Sequence, residues 1–152
     1  MQKELIQTID ETPRILVRRD LCKSSGDPKL DGKLPPVYVP EEDFEHAKST
    51  VSNPEQLIML PNGFDHAAFY GPEAEHGLLY LPYPYLVPGG RFQEMYGWDS
   101  AFPVFAWAET HPKLIREQID NQLYQIKAYG KVLNANRTYY ISRSQPPLLS
   151  AM

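Results

Sequence analysis

Pro88-Gly89-Gly90-Arg91-Phe92-Gln93-Glu94-Met95-Tyr96-Gly97-Trp98-Asp99 is the densest run of chemistry in the chain. It sets two glycines behind a rigid proline and adds an arginine, two carboxylates and aromatic rings. That combination suits a sugar. Ring hydroxyls take planar, multidentate partners such as Arg, Asp, Asn and Gln. The flat apolar face of a sugar takes an indole or a phenol.

Composition bounds the rest. The 152 residues are enough for one domain with a real core, and 42% hydrophobic with 22% charged is ordinary for a soluble protein. A net charge of −4 without a basic stripe argues against nucleic acid. Cys22 is the only cysteine, so no internal disulfide forms and nothing pairs with it at metal-ligand spacing. No apolar run approaches the roughly 18 residues of a membrane helix. Met1–Asp20 holds Glu4, Asp10, Glu11, Arg14 and Arg18 and lacks an apolar signal core, which predicts a cytoplasmic protein, or a periplasmic one if the natural N-terminus lies further upstream.

The two halves differ. Of 19 acidic residues, 14 lie in Met1–His76; of 18 aromatics, 13 lie between Tyr80 and Tyr140. This predicts an acidic, proline-rich, mostly irregular segment over 1–76 and a chemically active domain over 77–152. Prolines 13, 28, 35, 36 and 40 and the Ser24-Ser25-Gly26-Asp27-Pro28 cluster make Thr12–Pro40 extended or irregular, because each proline removes a donor and turns its predecessor away from helix. Short helices are predicted at Gln2–Ile9 and at Glu41–Val51, the second with three carboxylates at the positive end of its dipole. Pro54–Pro88 reads as irregular again.

Two further helices stand out. One starts at Asp99 or Ser100, either of which could cap, and runs to about Thr110 with Pro103 confined to its first turn. The other follows Pro112 and runs to Tyr129, with Gly130 as its C-cap. Leu114, Ile115, Ile119, Leu123 and Ile126 recur at three- and four-residue spacings, the pattern of a core-facing stripe. Thr138–Ile141 is β-like. No strong strand pairing is visible, so the chain is predicted to be mainly α with long irregular loops. Fifteen prolines are about twice the usual share of roughly 5%. The helices have few partners here, and Leu148–Met152 reads as the opening of a helix, so the domain is predicted to be incomplete.

Plainer roles fit several residues. Trp107 belongs to a core, and Glu94 to an arginine partner. Arg137 is ambiguous, since exposure is usual for arginine. His46, His66, His76 and His111 lack the clustering of metal ligands and suit the surface or helix caps. Tyr80, Tyr83 and Tyr85 between prolines could form a polyproline II docking segment, or wrap a larger body.

At Pro88–Asp99 the chain resembles the trehalases, inverting glycoside hydrolases that split α,α-trehalose into two glucoses. The likeness continues from Gln118-Ile-Asp-Asn-Gln-Leu-Tyr124 through Gly130, Asn134, Asn136 and Arg137 to Tyr139-Tyr140 and Arg143-Ser-Gln-Pro-Pro-Leu148, covering about Leu78–Leu149. Two departures occur. Ala101 stands where an aromatic is usual, and Leu133-Asn134-Ala135 replaces Pro-Asn-Gly.

The resemblance implies the leading part of an (α/α)6 toroid. It assigns sugar binding to Arg91, Trp98, Asp99, Asn134, Arg143, Ser144 and Gln145. The residue types agree with those roles: the two arginines are permanent planar donors, Asp99 accepts from hydroxyls, and Asn134 and Gln145 do both. Gly89 and Gly90 permit backbone conformations that let Arg91 reach into a pocket, and Pro146-Pro147 stiffen the segment that presents Arg143 and Gln145.

Inversion needs a carboxylic acid and a carboxylate base roughly 6.5–9.5 Å apart. The resemblance places both beyond Met152, so no catalytic residue is expected in this chain, and neither metal nor organic cofactor is implied. The expected partners are trehalose or a related α-glucoside and the missing C-terminal part of such an enzyme. Two other readings stay open. One is a non-catalytic sugar-binding or regulatory module derived from the fold; the other is a proline-rich interaction protein that uses Leu81–Pro88.

Overall fold

In a computed structural model of the chain, the described residues are 16–18, 35–71, 73–89 and 92–152. The helix expected at Gln2–Ile9 lies outside them.

Val37, Tyr38 and Val39 form an unbroken apolar run that becomes the centre of a small parallel sheet. Strand β2 (Val37–Pro40) lies between β3 (Leu57–Leu60) and β4 (Leu78–Leu79), with Val37 opposite both Leu57 and Leu78. A parallel strand buried on both faces needs no polar alternation. Successive side chains point to opposite faces, so Val37, Val39 and Leu78 join one core with Tyr85 and Met95, while Tyr38 and Leu79 join another with Phe69, Tyr129, Leu133 and Ile141. Separately, β1 (Leu16–Arg18) pairs antiparallel with β5 (Tyr85–Val87).

Strands β3, β4 and β5 correct the expectation of irregular structure over 54–88, and the pairing of all five corrects the expectation that no strands pair. The segments are only two to four residues long, too short for their period to register in sequence. The parallel partners are far apart along the chain, so nothing local announces the pairing.

The helix expected from Glu41 begins as a 3-10 turn at Glu41–Asp43 and continues as α1 (Phe44–Thr50). Helix α2 (Ala101–Trp107) keeps Pro103 in its first turn. Ser100 precedes it without a side-chain capping bond; its Oγ instead donates to the Tyr96 carbonyl at 2.6 Å. Trp107 packs against a third core of Leu86, Val104 and Ile115. Thr138–Tyr140 is a 3-10 turn rather than the β-like segment expected.

Helix α3 (Pro112–Tyr129) has the predicted bounds and stops at Gly130, whose φ of 80° is the left-handed conformation glycine adopts freely. Its buried face matches the expected one at Leu114, Ile115 and Ile119, which pack on the third core, and departs from it beyond them. Leu123 is 51% and Ile126 44% exposed, whereas Gln118, Asn121, Gln122 and Gln125 are sealed from solvent. Residues 118, 121, 122 and 125 follow the i, i+3, i+4, i+7 spacing of an apolar stripe, but here the stripe is made of amides. The irregular segments packed on α3 present unpaired backbone groups, which cost too much to bury without partners. Amide side chains supply those partners and aliphatic ones cannot.

Candidate functional site

Four backbone segments are stitched together beside α3. The far edge of β4 bonds to the 136–138 segment: Leu79 N donates to Asn136 O at 2.9 Å and Thr138 N to Gly77 O at 3.1 Å. The same segment continues backward to Ala135, which bridges Tyr96, while Gly97 N donates to Asn134 O at 3.2 Å. On its other side Leu133 bridges Ser144, and Asn134 N donates to Arg143 O at 3.0 Å. Residues 97–99, 134 and 143–145 therefore stand side by side although 45 positions separate Asp99 from Ser144.

The contact is tight at Gly97. A Cβ there would lie 2.7 Å from both the Leu133 carbonyl oxygen and Gln145 Cγ. Only glycine lets the Trp98–Asp99 turn approach this closely.

Trp98 is 44% exposed, with its ring 6.3 Å from that of Phe102, so it presents an open aromatic face. Asp99 is half-buried and lines a hollow of about 220 Å³ with Val87, Tyr96 and Phe102. Asn134 is half-buried, and the Arg143 guanidinium lies over the Tyr140 ring at 5.4 Å, a cation–π contact that holds an otherwise exposed side chain. Ser144 and Gln145 line a second, more apolar hollow of about 430 Å³ with Gln122, Ile126 and Pro147. Gln145 Oε1 is buried there without a hydrogen-bond partner.

The expected sugar-binding residues thus share one edge of the molecule but border two hollows. Arg91 lies outside the described residues. Gly89 does take a positive φ, 92°.

Two buried groups brace this edge. Glu94 accepts from Arg137 Nε at 2.5 Å, from Gln93 N at 3.0 Å and from the Tyr96 hydroxyl at 3.2 Å. Burial, reinforced by the Glu94 carboxylate, pushes the Tyr96 phenol well above its ordinary value, so it remains a donor. The arginine expected beside Glu94 is therefore Arg137, itself buried. Asn136 accepts from Met95 N at 2.8 Å and donates to Leu79 O at 3.0 Å and the Tyr85 hydroxyl at 3.3 Å.

The sequence reading missed the bracing role of Asn136 and of the α3 amides. The one available signal for the helix was four amides at helical spacing. Among the described residues, no group of three or more His, Cys, Asp or Glu could hold a metal ion, and no helix is long and apolar enough to cross a membrane.

Comparison with known proteins points to one family. The family model described as Trehalase matches residues 49–152. A periplasmic trehalase of Xanthomonas campestris pv. campestris is 52% identical over 80 residues, 52% of this chain and 14% of that protein. A cytosolic neutral trehalase of Saccharomyces cerevisiae is 38% identical over 122 residues, 79% of this chain and 15% of that protein. The solved structure of neutral trehalase Nth1 from Saccharomyces cerevisiae superposes with a TM-score of 0.66 at 28% identity, covering 96% of this chain and 32% of that one. The match therefore spans about a seventh of the curated relatives' length. Their names divide between periplasm and cytosol, so likeness to them does not select the compartment expected from the N-terminal residues.

Proposed function

The chain belongs to the trehalase family, and we propose on that basis that it supplies a sugar-binding wall for a glycoside hydrolase that splits α,α-trehalose with inversion. Arg91, Trp98, Asp99, Asn134, Arg143, Ser144 and Gln145 are the binding set. The observation that carries the proposal is the backbone stitching of 97 to 134 and of 134 to 143, which puts Trp98, Asp99, Asn134 and Arg143 on one edge. An indole face, a carboxylate, an amide and a guanidinium are the groups a glucosyl unit takes.

Cleavage falls to other residues. An inverting pair needs one carboxyl held protonated and one ionised, about 6.5–9.5 Å apart across the bond. Glu94 is committed to Arg137, Gln93 and Tyr96, so it braces the site instead. The acid and base are assigned to the remainder of a trehalase-length protein, as is closure of an (α/α)6 toroid. Phe102 and Phe105, 65% and 58% exposed, together with Leu123 and Ile126, offer those further helices an apolar face.

Titration of the purified chain with trehalose and, separately, with maltose by calorimetry tests the binding set. The expected result is weak, saturable binding of trehalose without cleavage, lost on Trp98→Ala. Absence of binding up to the solubility of the sugar, in a chain shown to be folded, overturns the assignment. Release of glucose by the chain alone overturns the placement of the acid and base elsewhere.

A further inference from the structure

We infer that Gln118, Gln122 and Gln125 are positioning residues which set the spacing of the sugar-binding segments from one rigid helix; this rests on the binding set proposed above. Gln122 Nε2 donates to the Gly97 carbonyl at 3.0 Å, one residue before Trp98. Gln118 Nε2 donates at 2.6 Å to Ser100 Oγ, one residue after Asp99, and that hydroxyl donates on to the Tyr96 carbonyl. The Trp98–Asp99 turn is therefore pinned at both ends. Gln125 Oε1 accepts from Leu133 N at 3.0 Å, one residue before Asn134.

The three amides stand at i, i+4 and i+7, one face of α3 over about 10 Å of helix at 1.5 Å per residue. A helix transmits such spacing with little give, whereas the segments it holds have no regular structure of their own. Binding groups must be held within about 0.5 Å of the productive geometry to work together. Anchoring both segments to one helix meets that need.

Asn121 supplies the internal comparison. It lies on the same buried stripe and makes bonds of the same kind, accepting from Tyr83 N at 3.1 Å and donating to the carbonyls of Tyr83 and Pro84. Those bonds hold the Tyr83–Pro84 backbone, which carries no residue of the binding set. Loss of any of the four amides weakens the fold. Only loss of Gln118, Gln122 or Gln125 displaces the site.

The test uses the full chain carrying Trp107→Phe, so that Trp98 alone emits. Into it go Gln122→Met, Gln125→Met and Asn121→Leu, each close to the original in volume but without the amide. All three should melt below the parent. Gln122→Met should also shift Trp98 emission and raise its quenching by acrylamide, Gln125→Met should move the Asn134 side-chain NMR signals, and both should weaken trehalose binding about tenfold. Asn121→Leu should leave all of these unmoved. The inference is overturned if Asn121→Leu moves the reporters as much as the glutamine variants do, or if the glutamine variants leave them in place. It is equally overturned if both glutamine variants fail to fold while Asn121→Leu folds, because the stripe is then a folding device alone. A parent that binds no trehalose removes the binding set, yet the Trp98 and Asn134 signals still decide the positioning.

Discussion

Arg137 Nε donates to Glu94 Oε1 at 2.5 Å, and both side chains are sealed from solvent. Desolvating two charges is costly, so such a pair tolerates the loss of neither partner. We expect Glu94→Gln and Arg137→Met each to cost about 3–5 kcal/mol, a large share of the roughly 5–15 kcal/mol that holds a domain together. The double variant should lose less than the sum, since neither charge is then stranded. Urea unfolding of the four proteins measures this. A loss below about 1 kcal/mol for either single variant would class the pair with exposed ion pairs.

Gly97→Ala tests the approach of the Trp98 turn to the 133–145 edge. The new methyl meets the Leu133 carbonyl oxygen, which as backbone cannot step aside. Overpacking of this kind costs about 1–3 kcal/mol, and trehalose binding should fall with it. Gly130→Ala is the contrast, because its Cβ meets nothing within 4 Å and only the positive φ is strained. It should lower the melting temperature and leave binding alone. Equal effects on binding from both substitutions would remove Gly97 from the site.

Asn136→Ala should be among the most damaging single changes. It leaves Met95 N and Leu79 O without partners in the interior. An orphaned buried group costs about 1–3 kcal/mol, so the expected loss is about 2–6 kcal/mol. Chemical denaturation gives the value, and Asn136→Asp, which keeps the acceptor for Met95 N but loses the donor, should also destabilise. Near-wild-type stability of Asn136→Ala would show that water takes over these bonds.

Alkaline pH should unfold the protein through its buried phenols. Burial raises Tyr129 well above its ordinary value, and burial together with Tyr129 and the 2.6 Å bond to Asp43 does the same for Tyr124. The fold keeps these phenols protonated while the unfolded chain releases the protons near pH 10. Their contribution is thus complete below about pH 10 and is lost as pH rises beyond it, at up to about 1.4 kcal/mol per pH unit for each. Unfolding midpoints measured across that range should fall steadily, and Tyr124→Phe should flatten the slope. A flat profile in the parent would contradict the burial of Tyr129.

The legible parts were those written in adjacent residues. Pro112 and Gly130 bracket α3 because a ring fixes φ at one end and a missing Cβ permits a positive φ at the other. Leu123 and Ile126, expected on the buried face, are exposed for the opposite reason. Amphipathic periodicity assumes that a helix buries apolar surface, whereas α3 buries amides against loops whose backbone needs partners. Strands β2, β3 and β4 escaped notice because each is too short to show alternation and pairs with residues distant in sequence.

The sequence by itself determined the family, the bounds of α3 and the sugar-compatible side chains, since each depends on residue type and spacing within a short window. Tertiary structure alone decided that Glu94 belongs to Arg137, that Asn136 ties three segments together, and that Trp98, Asn134 and Arg143 share an edge. Those outcomes depend on which buried backbone group finds which partner. That is settled by the packing of remote segments, where leaving a donor or acceptor unpaired costs more than any local preference supplies.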